Sequence, residues 1–356
     1  RGAAHAGGKM TDISIRKDGK AGRITLTRPK ALNAMTYEMC IAIEDAVDAW
    51  ADDDTVELII IDAEGDKAFC AGGDIAELYD TGTKGNLDYA RRFWRDEYRL
   101  NAKISEYPKP FVAFMQGFVM GGGVGIGCHG SHRVVGESSK IAMPECGIGL
   151  VPDVGGTLLL AQAPGQMGEY LGLTGARMGP ADVLHAAFAD YVIDEAQWPE
   201  LIATLEDNGD PFILDKAATQ PAPDPLAEAQ DEIDHLFAGE SLGEIFTALE
   251  TAESNFAADT LKALKRGSPL SMACTLQMLR HLRGPNIGMV PALRQEYRFT
   301  YRAMEKGDFL EGVRAAIIDK DRTPRWQHQG AEVPQADIDA MLADLGDNEL
   351  ILEDKT

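Results

Sequence analysis

The stretch from Gly121 to Gly156 combines two glycine clusters with two carboxylates, Glu145 and Asp153, each directly after a proline. Glycine has no Cβ and readily adopts positive φ, so a glycine cluster before a helix lets backbone N–H groups approach a ligand closely. A carboxylate that follows a proline is held in a rigid turn. Two such carboxylates facing a pair of N–H donors would form an acid–base site. The stretch therefore predicts acyl chemistry through an enolate or a tetrahedral oxyanion.

Short β-branched runs alternate with helical patterns up to Gly156, which predicts an α/β fold. The predicted strands are Ile24–Thr27, Val56–Asp62, Phe111–Met115 and Arg133–Val135. Helical patterns continue from there to the end. We expect an α/β core over residues 12–210 and a helical C-terminal region over residues 211–356, with the proline-rich segment Gln220–Pro225 as a linker. Residues 1–11 are expected to be a tag remnant or a disordered segment.

Two helices are predicted with some detail in the first part of the chain. One begins after Thr36, a plausible N-cap, and its apolar residues share a single face: Met39, Ile43, Val47 and Trp50. The second covers Leu87–Tyr107 and ends before Pro108. It carries four arginines that we interpret as a solvated face: Arg91, Arg92, Arg95 and Arg99.

The composition narrows the possible partners and compartments. A chain of 356 residues with 45% hydrophobic residues can bury a full core. The formal net charge of −23 argues against a nucleic-acid partner, because phosphate contacts require clustered Lys and Arg. No apolar run is long enough to span a membrane, so no membrane partner is expected. The five cysteines have no metal-ligand spacing, which predicts no metal site and a reducing compartment: the cytoplasm, or the mitochondrial matrix if the source is a eukaryote.

Three further motif matches have ordinary structural interpretations. The GxSxG match at Gly239–Gly243 lacks the preceding strand that a nucleophile elbow needs, and Ser241 fits a helix cap. The GxGxxG match at Gly125–Gly130 should lie inside the helix that follows the glycine turn, which argues against dinucleotide binding. The third match lacks a fourth metal ligand and is expected to form ordinary hydrogen bonds: Cys128, His129 and His132.

Two glycine turns each follow an apolar strand. Gly72 and Gly73 come after Val56–Asp62, and Gly117–Gly123 comes after Phe111–Met115. Each turn can direct one N–H at the same oxygen. Removing one donor of such an oxyanion hole typically costs about 3 kcal/mol of transition-state stabilisation, so the pair would be a large catalytic contribution.

Four segments together resemble the enoyl-CoA hydratase/isomerase superfamily, which has the crotonase fold: Arg28–Ala34 (RPKALNA), Phe69–Ile75 (FCAGGDI), Gly121–Gly123 and Pro144-Glu145. The resemblance implies a spiral of ββα units that binds acyl-coenzyme A, followed here by a C-terminal helical lobe. It implies that the N–H groups of Gly73 and Gly122 hold the thioester oxygen. It also implies that four residues contribute to substrate or coenzyme A binding: Ala71, Asp74, Arg28 and Lys30.

One departure from the superfamily pattern points to a subfamily. Hydratases carry a glutamate two residues after the GGG run, where this chain has Gly125. Only the second glutamate, Glu145, is present, so the two-glutamate hydration mechanism lacks one partner. This departure, the carboxylate at Asp153 and the segment Gly307–Asp321 resemble the 3-hydroxyisobutyryl-CoA hydrolase family, the thioesterases of valine breakdown. The same resemblance places Glu97 at a substrate-contact position.

The resemblance implies hydrolysis of 3-hydroxyisobutyryl-CoA, with 3-hydroxypropionyl-CoA as a second candidate, and no cofactor besides the coenzyme A of the substrate. Glu145 would activate a water or attack the thioester directly. Asp153 would contact the substrate's 3-hydroxyl or orient the water, and it could also cap a helix beginning near Val154. The alternatives are an enoyl-CoA hydratase or isomerase and a non-catalytic acyl-CoA-binding protein. A homo-oligomer is open, since crotonase-fold proteins are often trimers or hexamers but the helical lobe could cover that interface.

Overall fold

The computed structural model describes residues 12–353, so the expectation for residues 1–11 lies outside the described residues. Its strands are β1 (Ile13–Asp18), β2 (Ala21–Leu26), β3 (Leu58–Ala63), β4 (Ala68–Cys70), β5 (Phe111–Met115), β6 (Phe118–Met120), β7 (His132–Val135), β8 (Lys140–Ala142) and β9 (Tyr191–Val192). The four predicted strands are confirmed as β2, β3, β5 and β7, with their ends shifted by up to three residues. Five strands were not predicted: β1, β4, β6, β8 and β9.

The helices up to Ala217 are α1 (Tyr37–Ala51), α2 (Ile75–Thr83), α3 (Asp88–Ser105), α4 (Gly122–Gly127), α5 (Gly156–Gln162), α6 (Met167–Thr174), α7 (Pro180–His185), α8 (Trp198–Asn208) and α9 (Ile213–Ala217). The later helices are α10 (Pro225–Glu228), α11 (Gln230–Leu236), α12 (Leu242–Thr251), α13 (Asn255–Leu264), α14 (Pro269–Leu282), α15 (Met289–Ala303), α16 (Phe309–Val313) and α17 (Gln335–Leu342). A π-helical turn follows α16 at Arg314–Ile318. Short 3-10 turns lie at Pro29–Ala31, Glu145–Ile148, Glu195–Gln197, Gly284–Asn286 and Gly346–Asn348.

The strands form two sheets that the chain builds together. The larger sheet has the order β1-β2-β3-β5-β7-β9, and its pairs are parallel except β1 with β2. The smaller sheet, β4-β6-β8, is parallel. Each successive pair, β3 with β4, β5 with β6 and β7 with β8, gives one strand to each sheet before a helix follows. The chain thus advances in ββα units, which confirms the expected spiral.

The larger sheet is buried on both faces, which explains the continuous apolar run in β3. Ile59 and Ile61 face the main core, whereas Leu58 and Ile60 face a second cluster. In that cluster, α8 covers the sheet with Trp198 and other apolar residues. A parallel strand between two covered faces needs no polar side, and the sheet provides a rigid base for the turns that leave it.

Helix α1 confirms its prediction, since the Thr36 hydroxyl accepts a hydrogen bond from Met39 N at 3.2 Å and the apolar face is buried. Helix α3 also forms as expected, but the interpretation of its arginines is wrong at one position. Arg99 is only 4% exposed and binds Glu44 through two hydrogen bonds of 2.7 Å. Sequence spacing alone did not place a carboxylate on α1 opposite this arginine.

The C-terminal helices pack onto the α/β part, and one continuous apolar cluster includes β2, α1, α14 and α15. Residues 218–224, between α9 and α10, form neither helix nor strand, and Pro225 begins α10. The linker and the domain boundary there stay predictions. Ser241 caps α12 by accepting a hydrogen bond from Glu244 N at 3.1 Å, so the helix-cap interpretation is confirmed. Helix α4 ends at Gly127, and the GxGxxG match therefore runs beyond the helix rather than lying inside it. None of the described helices is both long and apolar enough to cross a bilayer.

Candidate active site

Two backbone N–H groups come together where β4 and β6 leave the smaller sheet. Gly72 and Gly121 adopt φ of +123° and +51°, a region that side chains rarely allow, and these turns expose Gly73 N and Gly122 N. A methyl group placed on Gly122 would lie 3.4 Å from Gly73 N. Gly122 is the first residue of α4, where helix geometry leaves its N–H without a partner. Within residues 12–353, no hydrogen bond involves either N–H group.

Glu145 lies directly beside these donors. It begins the 3-10 turn after β8 and is 5% exposed, yet neither carboxyl oxygen has a hydrogen-bond partner among the described residues. A methyl group on Gly121 would lie 3.7 Å from Glu145 Oε1. Burial raises the pKa of Glu145 well above its ordinary value, and Asp153 raises it further. An ionised Glu145 would therefore be a stronger base than an ordinary glutamate.

Asp153 is buried next to Glu145 and has one defined partner. The Tyr98 hydroxyl donates a hydrogen bond of 2.6 Å to Asp153 Oδ2. Burial raises the pKa of Asp153 to about 7, although the hydrogen bond from Tyr98 opposes this rise. The suggested capping role is wrong, because α5 begins at Gly156 and no helical N–H binds the Asp153 side chain.

Glu97 projects from α3 toward the same space. A methyl group on Gly122 would lie 3.3 Å from Glu97 Oε2, and this oxygen has no hydrogen-bond partner in the described part of the chain. Burial raises the pKa of Glu97 well above its ordinary value, and Asp153 adds to the rise. Three buried carboxyl groups thus surround the two free N–H donors without a compensating cation among residues 12–353.

These groups line one small cavity of about 120 Å³. Its polar wall is formed by Gly73, Gly122, Glu97, Glu145 and Asp153, with Ala71 among the other lining residues. Its apolar wall includes Phe93, Trp94 and Leu150. On this measure one water needs about 10–15 Å³, so the cavity has room for several heavy atoms. A short acyl group fits this space.

Three of the predicted coenzyme A contacts lie outside this cavity. Arg28 donates to Asp74 Oδ2 at 3.0 Å and to Ala34 O at 3.0 Å, so these two predicted substrate-binding residues pair with each other. Lys30 is exposed and lines a separate surface cavity of about 240 Å³ with Gly65 and neighbouring residues. The structure therefore brings together Gly73, Gly122, Glu97, Glu145 and Asp153, whereas Arg28, Lys30 and Asp74 lie outside their cavity. The roles of both groups in substrate binding stay predictions.

Neighbouring residues occupy the space that a side chain at Gly125 would need. A methyl group there would lie 2.7 Å from both Asn101 Nδ2 and Val154 Cβ, closer than side chains normally approach. Asn101 is fully buried, and neither of its side-chain polar atoms has a hydrogen-bond partner in the described part of the chain. A glutamate at this position would displace its neighbours, so the missing carboxylate is not a simple deletion.

Sequence reasoning missed Glu296, a fourth buried carboxyl near the site. It lies on α15 and accepts hydrogen bonds from Gly155 N and Thr157 N at 2.9 and 3.1 Å, and from the Thr157 hydroxyl. Burial raises the pKa of Glu296 to about 8 against these hydrogen bonds. One feature of the sequence predicts that Glu296 is buried, because it lies at helical spacing among apolar residues of one face: Ala292, Phe299 and Ala303.

No cluster of His, Cys, Asp and Glu suited to a metal ion occurs within residues 12–353. Among the three residues considered as ligands, His129 Nε2 lies 2.7 Å from Val154 O, and His132 Nδ1 lies 2.7 Å from Ser131 Oγ. Cys128 is buried, and so are the other four cysteines, all of them free thiols.

Comparison with known proteins identifies the family. The Enoyl-CoA hydratase/isomerase family matches residues 21–342. The chain is 38% identical to the mitochondrial 3-hydroxyisobutyryl-CoA hydrolase of Gallus gallus, over 96% of this chain and 91% of the relative. Identity to the Xenopus tropicalis protein of the same name is 39%, over 97% and 92% of the two chains. A crystal structure described as an enoyl-CoA hydratase from Rhodobacter sphaeroides is 55% identical, with a TM-score of 0.91 over 96% of this chain and 99% of the other.

The activities named for these proteins differ, but the matches agree on the fold and extend over nearly the whole chain. They include the C-terminal helices as well as the ββα units, and the family match begins at β2 and ends in α17. The chain belongs to the enoyl-CoA hydratase/isomerase family.

Proposed function

We propose that this protein hydrolyses the thioester of 3-hydroxyisobutyryl-CoA to the free hydroxy acid and coenzyme A, a step of valine catabolism. The observation that carries the proposal is the buried, unpartnered Glu145 beside two free N–H donors, with no second glutamate at Gly125. The names of the curated relatives support the same reaction. The small cavity suits a branched four-carbon acyl group, and 3-hydroxypropionyl-CoA lacks only one methyl group. One methyl group gives roughly 1–3 kcal/mol of discrimination, so both are proposed substrates.

The reaction begins with the thioester oxygen between Gly73 N and Gly122 N. As the carbonyl carbon becomes tetrahedral, negative charge develops on this oxygen, and the two donors stabilise it in a site with little water. Their positions are fixed by the sheet and by α4, so they need not reorganise during the reaction. This pair supplies the electrophilic assistance, and the proposed reaction requires neither a metal nor an organic cofactor.

Glu145 supplies the nucleophilic half of the reaction in one of two ways. As a general base it removes a proton from water while the water oxygen attacks the thioester carbon. As a nucleophile its carboxylate attacks that carbon, and water then hydrolyses the resulting anhydride. In both routes the carbon–sulfur bond breaks and coenzyme A leaves as a thiolate, which is a fair leaving group because a thiol pKa is near 8.5.

Asp153 and Glu97 bind the acyl part of the substrate. Both carboxyl groups face the cavity, and Tyr98 holds the Asp153 oxygen Oδ2 in place. The substrate's 3-hydroxyl can donate to Asp153, or Asp153 can orient the attacking water. Either role requires a fixed carboxyl direction, which the hydrogen bond from Tyr98 supports.

We also propose a reducing compartment, since all five cysteines are buried free thiols.

Hydration of an enoyl-CoA is the rival reaction, favoured by the description of the Rhodobacter sphaeroides structure. That chemistry uses a carboxylate from each of two glutamates on one water. In this chain the first position is Gly125, and Asn101 and Val154 occupy the space that its side chain would need. Hydrolysis therefore fits the residues better than hydration.

Two assays on the purified protein separate these reactions. Thiol release from 3-hydroxyisobutyryl-CoA and 3-hydroxypropionyl-CoA, followed with a thiol reagent, should be fast, while the enoyl absorbance of crotonyl-CoA should persist. Loss of enoyl absorbance without thiol release would overturn the proposal in favour of hydration. Binding of acyl-CoA without either reaction would favour a non-catalytic acyl-CoA-binding protein.

A further inference from the structure

The turn that carries Asp153 has a strained backbone. Val154 adopts a φ of +52° and Gly155 a φ of +76°, so two successive residues are left-handed. A β-branched residue is rarely found in this region, because its Cβ substituents clash with the neighbouring backbone. Such a conformation persists only where its surroundings enforce it. The strained residue is directly bonded to Asp153, so a change in its backbone angles would move Asp153 relative to α5.

Two side chains, the half-buried His129 and the buried Glu296, hold this turn from opposite sides. His129 Nε2 lies 2.7 Å from Val154 O, and burial lowers the pKa of His129 to about 4, so the neutral ring donates this hydrogen bond. Glu296 Oε1 accepts from Gly155 N at 2.9 Å. Its other oxygen, Oε2, accepts from Thr157 N at 3.1 Å and from the Thr157 hydroxyl. Both residues bind the peptide group between Val154 and Gly155, next to the strained φ of Val154.

We propose that His129 and Glu296 are positioning residues that hold the turn at Val154 in its left-handed conformation and thereby direct the Asp153 carboxyl into the acyl cavity. The proposal rests on the proposed hydrolysis, because Asp153 matters only if it contacts the substrate or the attacking water. The hydrogen bond from Tyr98 fixes one carboxyl oxygen but does not bind the backbone of the turn. Without the two residues, Val154 would relax toward negative φ and carry Asp153 with it.

The chemistry of Glu296 supports this role. No Lys or Arg within residues 12–353 forms an ion pair with it. When Glu296 is ionised, above its raised pKa of about 8, its charge is compensated only by the three donors of the turn. Because charge-assisted hydrogen bonds are stronger than neutral ones, a carboxylate holds these donors more firmly than an amide would. Glutamine in its place would also turn an NH2 group toward an N–H or O–H donor. The geometry of the turn should therefore depend on the acid itself.

A double-mutant cycle in the full-length protein tests the proposal. With Glu296→Gln we expect kcat for thiol release to fall about 10- to 100-fold while KM changes less than about twofold, because misplacing a reacting group by about 1 Å has effects of this size. In an Asp153→Asn background the same substitution should have no further effect on kcat, since the group that it positions is gone. A control is Asp224→Asn, because Asp224 accepts hydrogen bonds from Ala181 N and Asp182 N at 2.9 and 3.3 Å in the first turn of α7, and kcat should not change.

The histidine provides an independent test if the Glu296 variant does not fold. His129→Leu should lower kcat by about 10-fold, and His129→Gln, whose amide can donate from the position of Nε2, should restore most of it. A lower melting temperature with unchanged kcat for Glu296→Gln, or multiplicative losses of kcat with Asp153→Asn, would overturn the proposal. If the wild-type protein releases no thiol, the proposed function fails, whereas an active wild type with insensitive variants contradicts only the positioning role.

Discussion

Asp96 and Glu97 are neighbours on α3, both buried, yet they belong to opposite kinds of environment. Asp96 accepts hydrogen bonds from the Tyr37 hydroxyl and from Arg99 at 2.8 Å, and Arg99 also binds Glu44. Glu97 faces the acyl cavity, where no cation pairs with it in the described part of the chain and Oε2 has no hydrogen-bond partner. Burial raises the pKa of Asp96, but Tyr37 and Arg99 outweigh it and hold the pKa below its ordinary value. For Glu97, burial and Asp153 both raise the pKa.

The difference shows that helix α3 contributes Asp96 to an ion-paired cluster and the next residue, Glu97, to the candidate active site. In the ion-paired cluster formed by Glu44, Asp96 and Arg99, opposite charges compensate the loss of hydration. In the unpaired cluster formed by Glu97, Glu145, Asp153 and Glu296, burial is compensated only by neutral donors or not at all. Buried carboxyls without cations destabilise a fold, and strongly shifted titrations of this kind are typical of functional sites. The first cluster should therefore respond to mutation with stability and the second with activity.

The largest expected effect is on turnover in the unpaired cluster. Glu145→Gln removes both the proton acceptor and the carboxylate nucleophile, so kcat for thiol release should fall about 10²- to 10⁴-fold. Acyl-CoA binding should stay within a few-fold, because the two N–H donors are untouched. Thiol release and equilibrium binding of the substrate check both statements. In the matched variant Glu44→Gln the folded protein should retain its kcat, and near-normal turnover of Glu145→Gln would defeat the assignment.

The next effect is on stability in the ion-paired cluster. Arg99→Met removes the buried cation between Glu44 and Asp96, whose remaining cations are Lys103 at 3.3 Å and the half-exposed Arg95 at 3.2 Å. The loss should lower the free energy of unfolding by about 3 kcal/mol at pH 7. Because the wild-type pKa of Asp96 is lowered, its contribution is present above the unfolded-state pKa and is lost as pH falls through the folded-state value. The difference between the two proteins should therefore narrow toward pH 3. Urea unfolding measures it, and a loss below about 1 kcal/mol at pH 7 would contradict the comparison.

Asp153→Asn should stabilise the protein, whereas Arg99→Met should destabilise it. The pKa of Asp153 is raised from 3.8 to about 7, so the folded wild type loses stability as pH rises from about 4 to 7, and the full loss is present at pH 8. Asparagine does not titrate and can still accept from Tyr98, so the variant should be more stable at pH 8 by on the order of 1–3 kcal/mol and equally stable at pH 4. Thermal unfolding at both pH values checks this, and a less stable variant at pH 8 would refute it.

The same substitution should also move the pH profile. Asp153 raises the pKa of Glu145, so removing its charge should shift the acidic limb of any residual hydrolysis to lower pH. The limb is measured from kcat/KM of the variant and the wild type across pH 4–9. An unchanged limb would mean that Asp153 and Glu145 do not interact in solution.

The smallest expected effect is on an ion pair at the protein surface, which serves as a reference for the buried pairs. Lys84 and Asp80 form an ion pair of 3.0 Å with side chains 71% and 63% exposed. Lys84→Met should change the free energy of unfolding by less than about 0.5 kcal/mol, because solvent screens the pair. The same urea titration as for Arg99→Met provides the value. If the exposed pair contributed more than about 1 kcal/mol, the large effect expected for Arg99→Met could not be assigned to the burial of its ion pairs.

Particular residues show how far the sequence leads. The glycine turns, Glu145, Asp153 and the resemblance-based Glu97 meet around one cavity, and α1 forms with its expected cap. Glu296 was missed because the atoms that it binds are 141 positions away in the chain. Arg99 was taken for a surface residue, since its partner Glu44 lies on another helix.

By itself the sequence determined the elements whose causes are local. β-branched runs make buried strands, glycine at positive φ makes the turns at Gly72 and Gly121, and a proline before Glu145 starts its turn. Only the tertiary structure decided which buried carboxyls meet a cation and which meet each other. Electrostatic interactions depend on distance in space and on burial, and neither is encoded in spacing along one helix. That is why Asp96 and Glu97, adjacent in sequence, have pKa values shifted in opposite directions.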